Sequence, residues 1–115
     1  HTPLTPQTRN LFNTDRIAQM KKSAFLINVS RGGVVNEEAL YSALSNQIIS
    51  GAAADVFDTE PCNEHPLFTL ENFLPTSHIA GYTDGAISGI SERCVNNIIE
   101  CVIKHQRPGN VMNSL

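Results

Sequence analysis

Four side chains in this sequence could together do acid–base chemistry on a small anion: Arg31, Asp55, Glu60 and His78. Histidine is the natural general acid and base near neutral pH. A carboxylate beside it holds one tautomer and favours the imidazolium, keeping a proton ready to give. Glu60 is the candidate for that carboxylate. Arg31 offers a planar fork suited to a substrate carboxylate, with further donors for a polarised carbonyl oxygen. An Arg, a His and a Glu around a keto acid suit reversible hydride transfer: the His gives a proton to the carbonyl oxygen as hydride reaches the carbon. No side chain donates hydride, so a nicotinamide is implied.

These residues can act together only if the chain delivers them to one place. Phe25-Leu26-Ile27-Asn28-Val29 is a continuous apolar run with β-branched members, between Ser23 and Arg31-Gly32-Gly33. It predicts a strand buried on both faces, as in a parallel sheet. A helix follows, with Asn36 as N-cap and Glu37 and Glu38 in the first turn, where the dipole favours negative charge. Leu40, Ala43 and Leu44 supply its apolar face, and Asn46 and Gln47 end it. A second buried strand is expected near Ala52 to Val56, where small residues allow close packing from above. Thr59 to Pro66 reads as a polar loop. Phe73 to Thr76 reads as a third strand, which Pro75 marks as an edge or an end.

Before the first strand come a proline-rich loop, His1 to Thr8, and a short helix capped by Asn13 or Thr14. After the third strand, Ile87, Ile90, Cys94, Ile98, Cys101 and Val102 keep the period of a long amphipathic helix from Ala86 to about His105, which Pro108-Gly109 stops. Alternating strands and helices imply a parallel α/β sheet, whose binding crevice lies beyond the carboxyl ends of the strands. Arg31 leaves the first strand at that end, Asp55 the second with Glu60 just beyond, and His78 follows the third. Singly, each has a plain structural reading as a turn, a cap or a loop residue; their convergence on one sheet edge is the signal. Glu64 and His65, in a proline-bounded loop, read as solvated, and His105 reads as structural.

Composition excludes several other functions. The chain has 115 residues, of which 41% are hydrophobic and 17% charged, with a net charge of -3. That is enough apolar matter for a core, and too little charge for a disordered tail. The longest basic run is Lys21-Lys22, which disfavours nucleic-acid binding. No apolar stretch approaches the ~20 residues that span a bilayer, so no membrane role is expected. The histidines at 1, 65, 78 and 105 have no ligand spacing, so no metal site is expected. Asn28-Val29-Ser30 matches a glycosylation triplet but falls at the end of a buried strand. Cys94 and Cys101 are separated by two helical turns, ~10 Å, beyond disulfide reach. With Cys62 they read as reduced thiols in a cytoplasmic core. The first residue is His1 rather than Met, so the chain is expected to be cut from a longer one.

The same residues carry a resemblance. HTPLTPQT from His1 to Thr8, Met20-Lys21-Lys22, LINVSRGGVV from Leu26 to Val35, Glu38-Ala39-Leu40, GAAADVF from Gly51 to Phe57, Glu60-Pro61 and HIAG from His78 to Gly81 stand in the order found in the D-isomer-specific 2-hydroxyacid dehydrogenases. Within these, the sequence most resembles the D-3-phosphoglycerate dehydrogenases. The resemblance implies that Arg31 binds substrate, Glu60 orients the catalytic His, and His78 is the acid/base. It implies a cofactor site, for NAD, that draws on Thr2, Val29, Ser30, Arg31, Asp55, His78 and Gly81. The Gly-x-Gly-x-x-Gly turn of the family and its ribose-binding acid are not in this sequence.

The fold implied is α/β, the carboxyl-terminal half of a Rossmann-like doubly wound sheet ending in a long helix. On this reading residues 1–107 are the carboxyl-terminal part of the NAD-binding domain, and 108–115 a tail leading back to a substrate domain. The activity implied is interconversion of a D-2-hydroxy acid and its 2-keto acid, by a cytoplasmic homo-oligomer (dimer or tetramer), with 3-phosphoglycerate as substrate. Two rivals share the scaffold: glyoxylate or hydroxypyruvate reduction, and a non-enzymatic NAD-sensing corepressor.

Overall fold

A computed structural model describes residues 1–109. They form two compact units, His1–Ala80 and a second from Gly81 onward. In the first unit a short helix α1 (Thr14–Ala18) precedes strand β1 (Phe25–Asn28). Helix α2 (Glu37–Ser45) leads to β2 (Gly51–Ala54), and a 3-10 turn, Pro66–Thr69, leads to β3 (Phe73–Pro75). The strands are parallel, in the order β1-β2-β3. Leu26 pairs with Ala52, and Ala52 with Phe73, so the strands' carboxyl ends share one edge. The caps are those the sequence predicts. Asn13 accepts the Arg16 N–H at 3.0 Å, and Asn36 accepts the Ala39 N–H at 2.7 Å.

Side chains alternate across a strand, and here one face carries the core. Leu26, Ala52, Ala54 and Phe73 pack with Ile17 of α1, Leu40, Ala43 and Leu44 of α2, and Leu67 of the 3-10 turn. The alanines of β2 leave room for this layer. The other face differs from the expectation of a strand buried on both sides: Phe25 is 70% exposed, Ile27 66% and Leu74 63%. The helices of this unit cover only the Leu26 face. A continuous apolar run therefore records that both faces are apolar, not that both are covered within this segment. β2 stops at Ala54, short of the expected Val56; the Asp55 N–H still donates to the Asn28 carbonyl oxygen at 2.9 Å, while its side chain turns to the segment beyond β3.

In the second unit Thr83 accepts the Ala86 N–H at 3.1 Å and starts helix α3 (Asp84–Ile98) slightly before the expected Ala86. One π-helical turn, Ile99–Ile103, extends it. The apolar stripe is present, but Ile87, Ile90, Ile98 and Val102 are exposed. Cys94 and Cys101 lie on it and are exposed free thiols rather than core residues, and Cys62 is half-buried. Of the expected tail, 110–115 lies outside the described residues. No helix among the described residues is long and apolar enough to cross a membrane.

Gly32 ties the loop after β1 to the turn after β2. A Cβ built on it would sit 2.0 Å from the Phe57 carbonyl oxygen and 2.7 Å from the Asp58 nitrogen, both backbone atoms. Only glycine permits that approach. Gly32→Ala should therefore push the turn away and destabilise the fold by about 1–3 kcal/mol, read as a lower midpoint in urea unfolding. An unchanged midpoint would mean that the two loops move apart freely.

Candidate active site

The carboxyl edge of the sheet is organised by a buried carboxylate. Asp55, 4% exposed, directly follows β2. Its Oδ1 accepts the Thr76 hydroxyl at 2.5 Å and the Ile79 N–H at 2.8 Å, and its Oδ2 accepts the Ala80 N–H at 2.9 Å. His78 lies between these anchors with φ +57, a left-handed conformation that histidine adopts more readily than most residues. That turn aims the next two amides at Asp55. Burial pushes the Asp55 carboxyl up, but the bonds from Thr76, Ala80 and Ile79 and the nearby His78 charge outweigh it and hold the group below its ordinary 3.8.

The loop so pinned presents His78 to Glu60. His78 Nδ1 is 2.7 Å from Glu60 Oε2, with the side chains 51% and 35% exposed. An ionised carboxylate only accepts, so Nδ1 carries the proton and Nε2 is the nitrogen left for another partner. Glu60 Oε1 accepts the Phe57 N–H at 3.0 Å. The bond to His78 first, and the Phe57 amide second, lower the Glu60 carboxyl below its usual value, against the opposing effects of burial and Asp55. Asp55, Glu60 and His78 line one cavity of about 690 Å³, together with Cys62 and Phe68.

The other predicted residues gather elsewhere. Thr2, Val29, Ser30 and Arg31 line a second cavity of about 520 Å³ with Pro3 and Leu4. Asn28 Oδ1 accepts both the backbone N–H and the hydroxyl of Ser30, at 3.1 and 2.7 Å, and shapes this loop. Arg31 Nη1 donates to the Ser30 carbonyl at 2.6 Å, and the side chain is exposed. Arg31 therefore stands with the Thr2 cluster, and no hydrogen bond joins it to the His78–Glu60 pair. Gly81 opens the second unit, with nothing within 4 Å of a Cβ placed on it.

Sequence reasoning missed three participants. Thr76 is one: a hydroxyl before the His78 loop carries no signature. Glu37 was legible only as a first-turn acid, yet its Oε1 also accepts the Asp58 N–H at 2.7 Å. His65 is not solvated as expected. Its ring stands against Phe57 and Phe68, and its Nδ1 caps the 3-10 turn at the Leu67 N–H. The pattern His65-Pro66 at the start of a turn is the signal that could have shown it. Among the described residues no group of three or more His, Cys, Asp or Glu could hold a metal ion.

Fold and site thus define a parallel α/β domain with a histidine–carboxylate pair at its carboxyl edge. Residues 1–80 match the family described as D-isomer specific 2-hydroxyacid dehydrogenase, NAD binding domain, and the chain belongs to that family. It is 41% identical over 113 residues to a D-3-phosphoglycerate dehydrogenase of Methanocaldococcus jannaschii, covering 98% of this chain and 21% of that protein. It is 43% identical over 114 residues to a glyoxylate reductase of Thermofilum pendens, covering 98% of this chain and 33% of that protein. It superposes with a TM-score of 0.85 and 31% identity on the NAD-complexed D-isomer specific 2-hydroxyacid dehydrogenase of Lactobacillus delbrueckii ssp. bulgaricus, covering 97% of this chain and 38% of that one. The chain thus spans a fifth to about a third of the length of these curated relatives.

Because the charged form of Asp55 is the favoured one in the fold, its stabilisation is fully present above 3.8 and is lost as pH falls through the lowered value. Asp55→Asn turns an amide N–H2 toward the Ala80 or Ile79 N–H and should cost about 1–3 kcal/mol at neutral pH. Thermal melts across a pH series should show the gap from the parent closing in strong acid. A gap independent of pH would assign the loss to shape rather than charge.

Proposed function

We propose that this chain supplies the catalytic side of the nucleotide-binding domain of an NAD-dependent dehydrogenase that interconverts a D-2-hydroxy acid and its 2-keto acid. The observation that carries the reading is the 2.7 Å bond between Glu60 and His78 Nδ1, which leaves Nε2 for the substrate oxygen. On this reading residues 1–107 belong to the nucleotide-binding domain, and 108–115 lead toward a substrate domain. The parent protein is read as a cytoplasmic homo-oligomer; three free thiols suit a reducing compartment.

The residues present fit one end of the dinucleotide. The cavity at Thr2, Val29 and Ser30 pairs hydroxyls with apolar walls, as a nicotinamide riboside requires. The exposed Arg31 beside it suits a carboxylate. When bound, the nicotinamide supplies or accepts the hydride. In reduction the His78 imidazolium gives its Nε2 proton to the substrate oxygen and is left as the Nδ1–H tautomer, in oxidation Nε2 takes the proton back, and Glu60 holds Nδ1–H and the ring orientation throughout. Arg31 binds the substrate carboxylate. Asp55, with its bonds to Thr76, Ile79 and Ala80, fixes the loop that carries His78, and any contact to the carboxamide uses what acceptor capacity Oδ2 retains. Gly81 is read as part of the loop closing over the cofactor.

For the substrate we favour 3-phosphoglycerate, the hydroxy acid in the name of the Methanocaldococcus jannaschii relative. Glyoxylate reduction is the second reading, favoured by the similar identity to the Thermofilum pendens protein. The ratio of kcat/KM for 3-phosphohydroxypyruvate and for glyoxylate in the intact enzyme decides between them. In that enzyme His78→Ala should lower kcat by ~10²–10⁴-fold while leaving NADH binding largely intact. Retention of near-parental kcat would refute the acid/base role. Arg31→Lys keeps the charge but not the fork, so KM for the keto acid should rise sharply. Parental kcat/KM in that variant would make Arg31 structural.

A further inference from the structure

The chain holds a second histidine–glutamate pair, outside the cavity lined by His78. His65 Nε2 lies 3.1 Å from Glu37 Oε2, and each side chain is 19% exposed. His65 Nδ1 accepts the Leu67 N–H at 3.2 Å, so the ring proton sits on Nε2 and is donated to Glu37. Glu37 Oε1 accepts the Asp58 N–H at 2.7 Å. The preceding amide, Phe57 N–H, donates to Glu60 Oε1 at 3.0 Å, and Glu60 Oε2 meets His78 at 2.7 Å. Two consecutive amides of one turn are therefore held by two glutamates, one facing His65 and the other facing His78.

We infer that Glu37 and His65 are positioning residues for the acid–base pair: they fix the Phe57–Asp58 turn and, through the Phe57 amide, hold the Glu60 carboxylate in register with His78. The inference rests on the reading of His78 as the proton donor. Its physical basis is that Glu60 sits on a turn of exposed residues, Asp58 to Pro61. A carboxylate there samples water unless its other oxygen has a fixed donor. The Phe57 amide is that donor: the Phe57 ring anchors it from the core side, and Glu37 holds the next amide of the turn. Glu37 reaches the turn from α2, an element anchored in the core by Leu40 and Leu44. His65 in turn donates to the second Glu37 oxygen, at 3.1 Å. The charged and titratable groups that bear on His78 are Glu60 and Asp55. The Cys62 thiol, in the same cavity, is pushed up first by burial and then by Glu37 and Glu60.

The test is the pH profile of keto-acid reduction by the intact enzyme, for the parent, Glu37→Gln, Glu60→Gln and the double variant. Glu37→Gln still accepts from Asp58 but presents an amide N–H2 to a ring whose other nitrogen is committed. It should lower kcat several-fold and move the alkaline limb to lower pH, in the direction of Glu60→Gln and by less. KM for NADH should not change. The double variant should reproduce the profile of Glu60→Gln alone, because the effect runs through Glu60. His65→Asn is the second variant: it can still cap the Leu67 N–H and drops the link to Glu37, so its limb should move the same way.

An unmoved limb in both variants, with only the melting temperature lowered, overturns the inference while a moved limb in Glu60→Gln leaves the acid–base reading intact. An unmoved limb in Glu60→Gln overturns that reading, and this inference with it. A double variant whose limb moves beyond that of Glu60→Gln shows another route and overturns the inference. So does failure of both Glu37→Gln and His65→Asn to fold, which would make the pair an element of stability alone.

Discussion

A carboxylate cannot be left buried without donors, and Asp55 obeys that rule by recruiting the segment that follows β3. Thr76, Ile79 and Ala80 all turn to it. Everything at the sheet edge depends on this capture. It accompanies the left-handed turn at His78 and places the imidazole within reach of Glu60. Without those bonds the segment after a short edge strand ending in Pro75 would have little to hold it. The low pKa of Asp55 and the geometry of His78 are two expressions of one arrangement.

Much of this was legible in the residues. The strands follow from apolar runs bounded by glycine and polar turns, and the first two helix starts from Asn13 and Asn36, whereas the Thr83 cap of the last helix was not read from the sequence. The parallel arrangement follows from the alternation of elements, and with it the delivery of Asp55, Glu60 and His78 to one edge. What was not legible were the partners within loops. Glu37 and Asp58 are distant in sequence, as are His65 and Glu37, and no periodicity connects them. Such pairs form only once the sheet has brought their elements together. Nor could the apolar run at Phe25 tell a doubly covered strand from a singly covered one, since burial depends on what else is present.

The arrangement of the two cavities follows from strand order. Residues after β1 serve one, and residues after β2 and β3 serve the other. In a parallel sheet, successive carboxyl ends lie side by side, so a long ligand can run along the edge from one loop to the next. The exposed Phe25, Ile27 and Leu74 lie on the sheet face opposite the core.

The contact at Gly32 limits how freely this protein can be re-engineered. The loop that carries Arg31 and the turn that leads to Glu60 touch backbone to backbone there, with no side chain between them to absorb a change. Neither loop is a module. A segment from residue 29 to 33 grafted from a relative would bring its own backbone path, and the turn at Phe57 would have to follow. Changes in these two loops should therefore travel in pairs, with a substitution in one tolerated only alongside a matching one in the other.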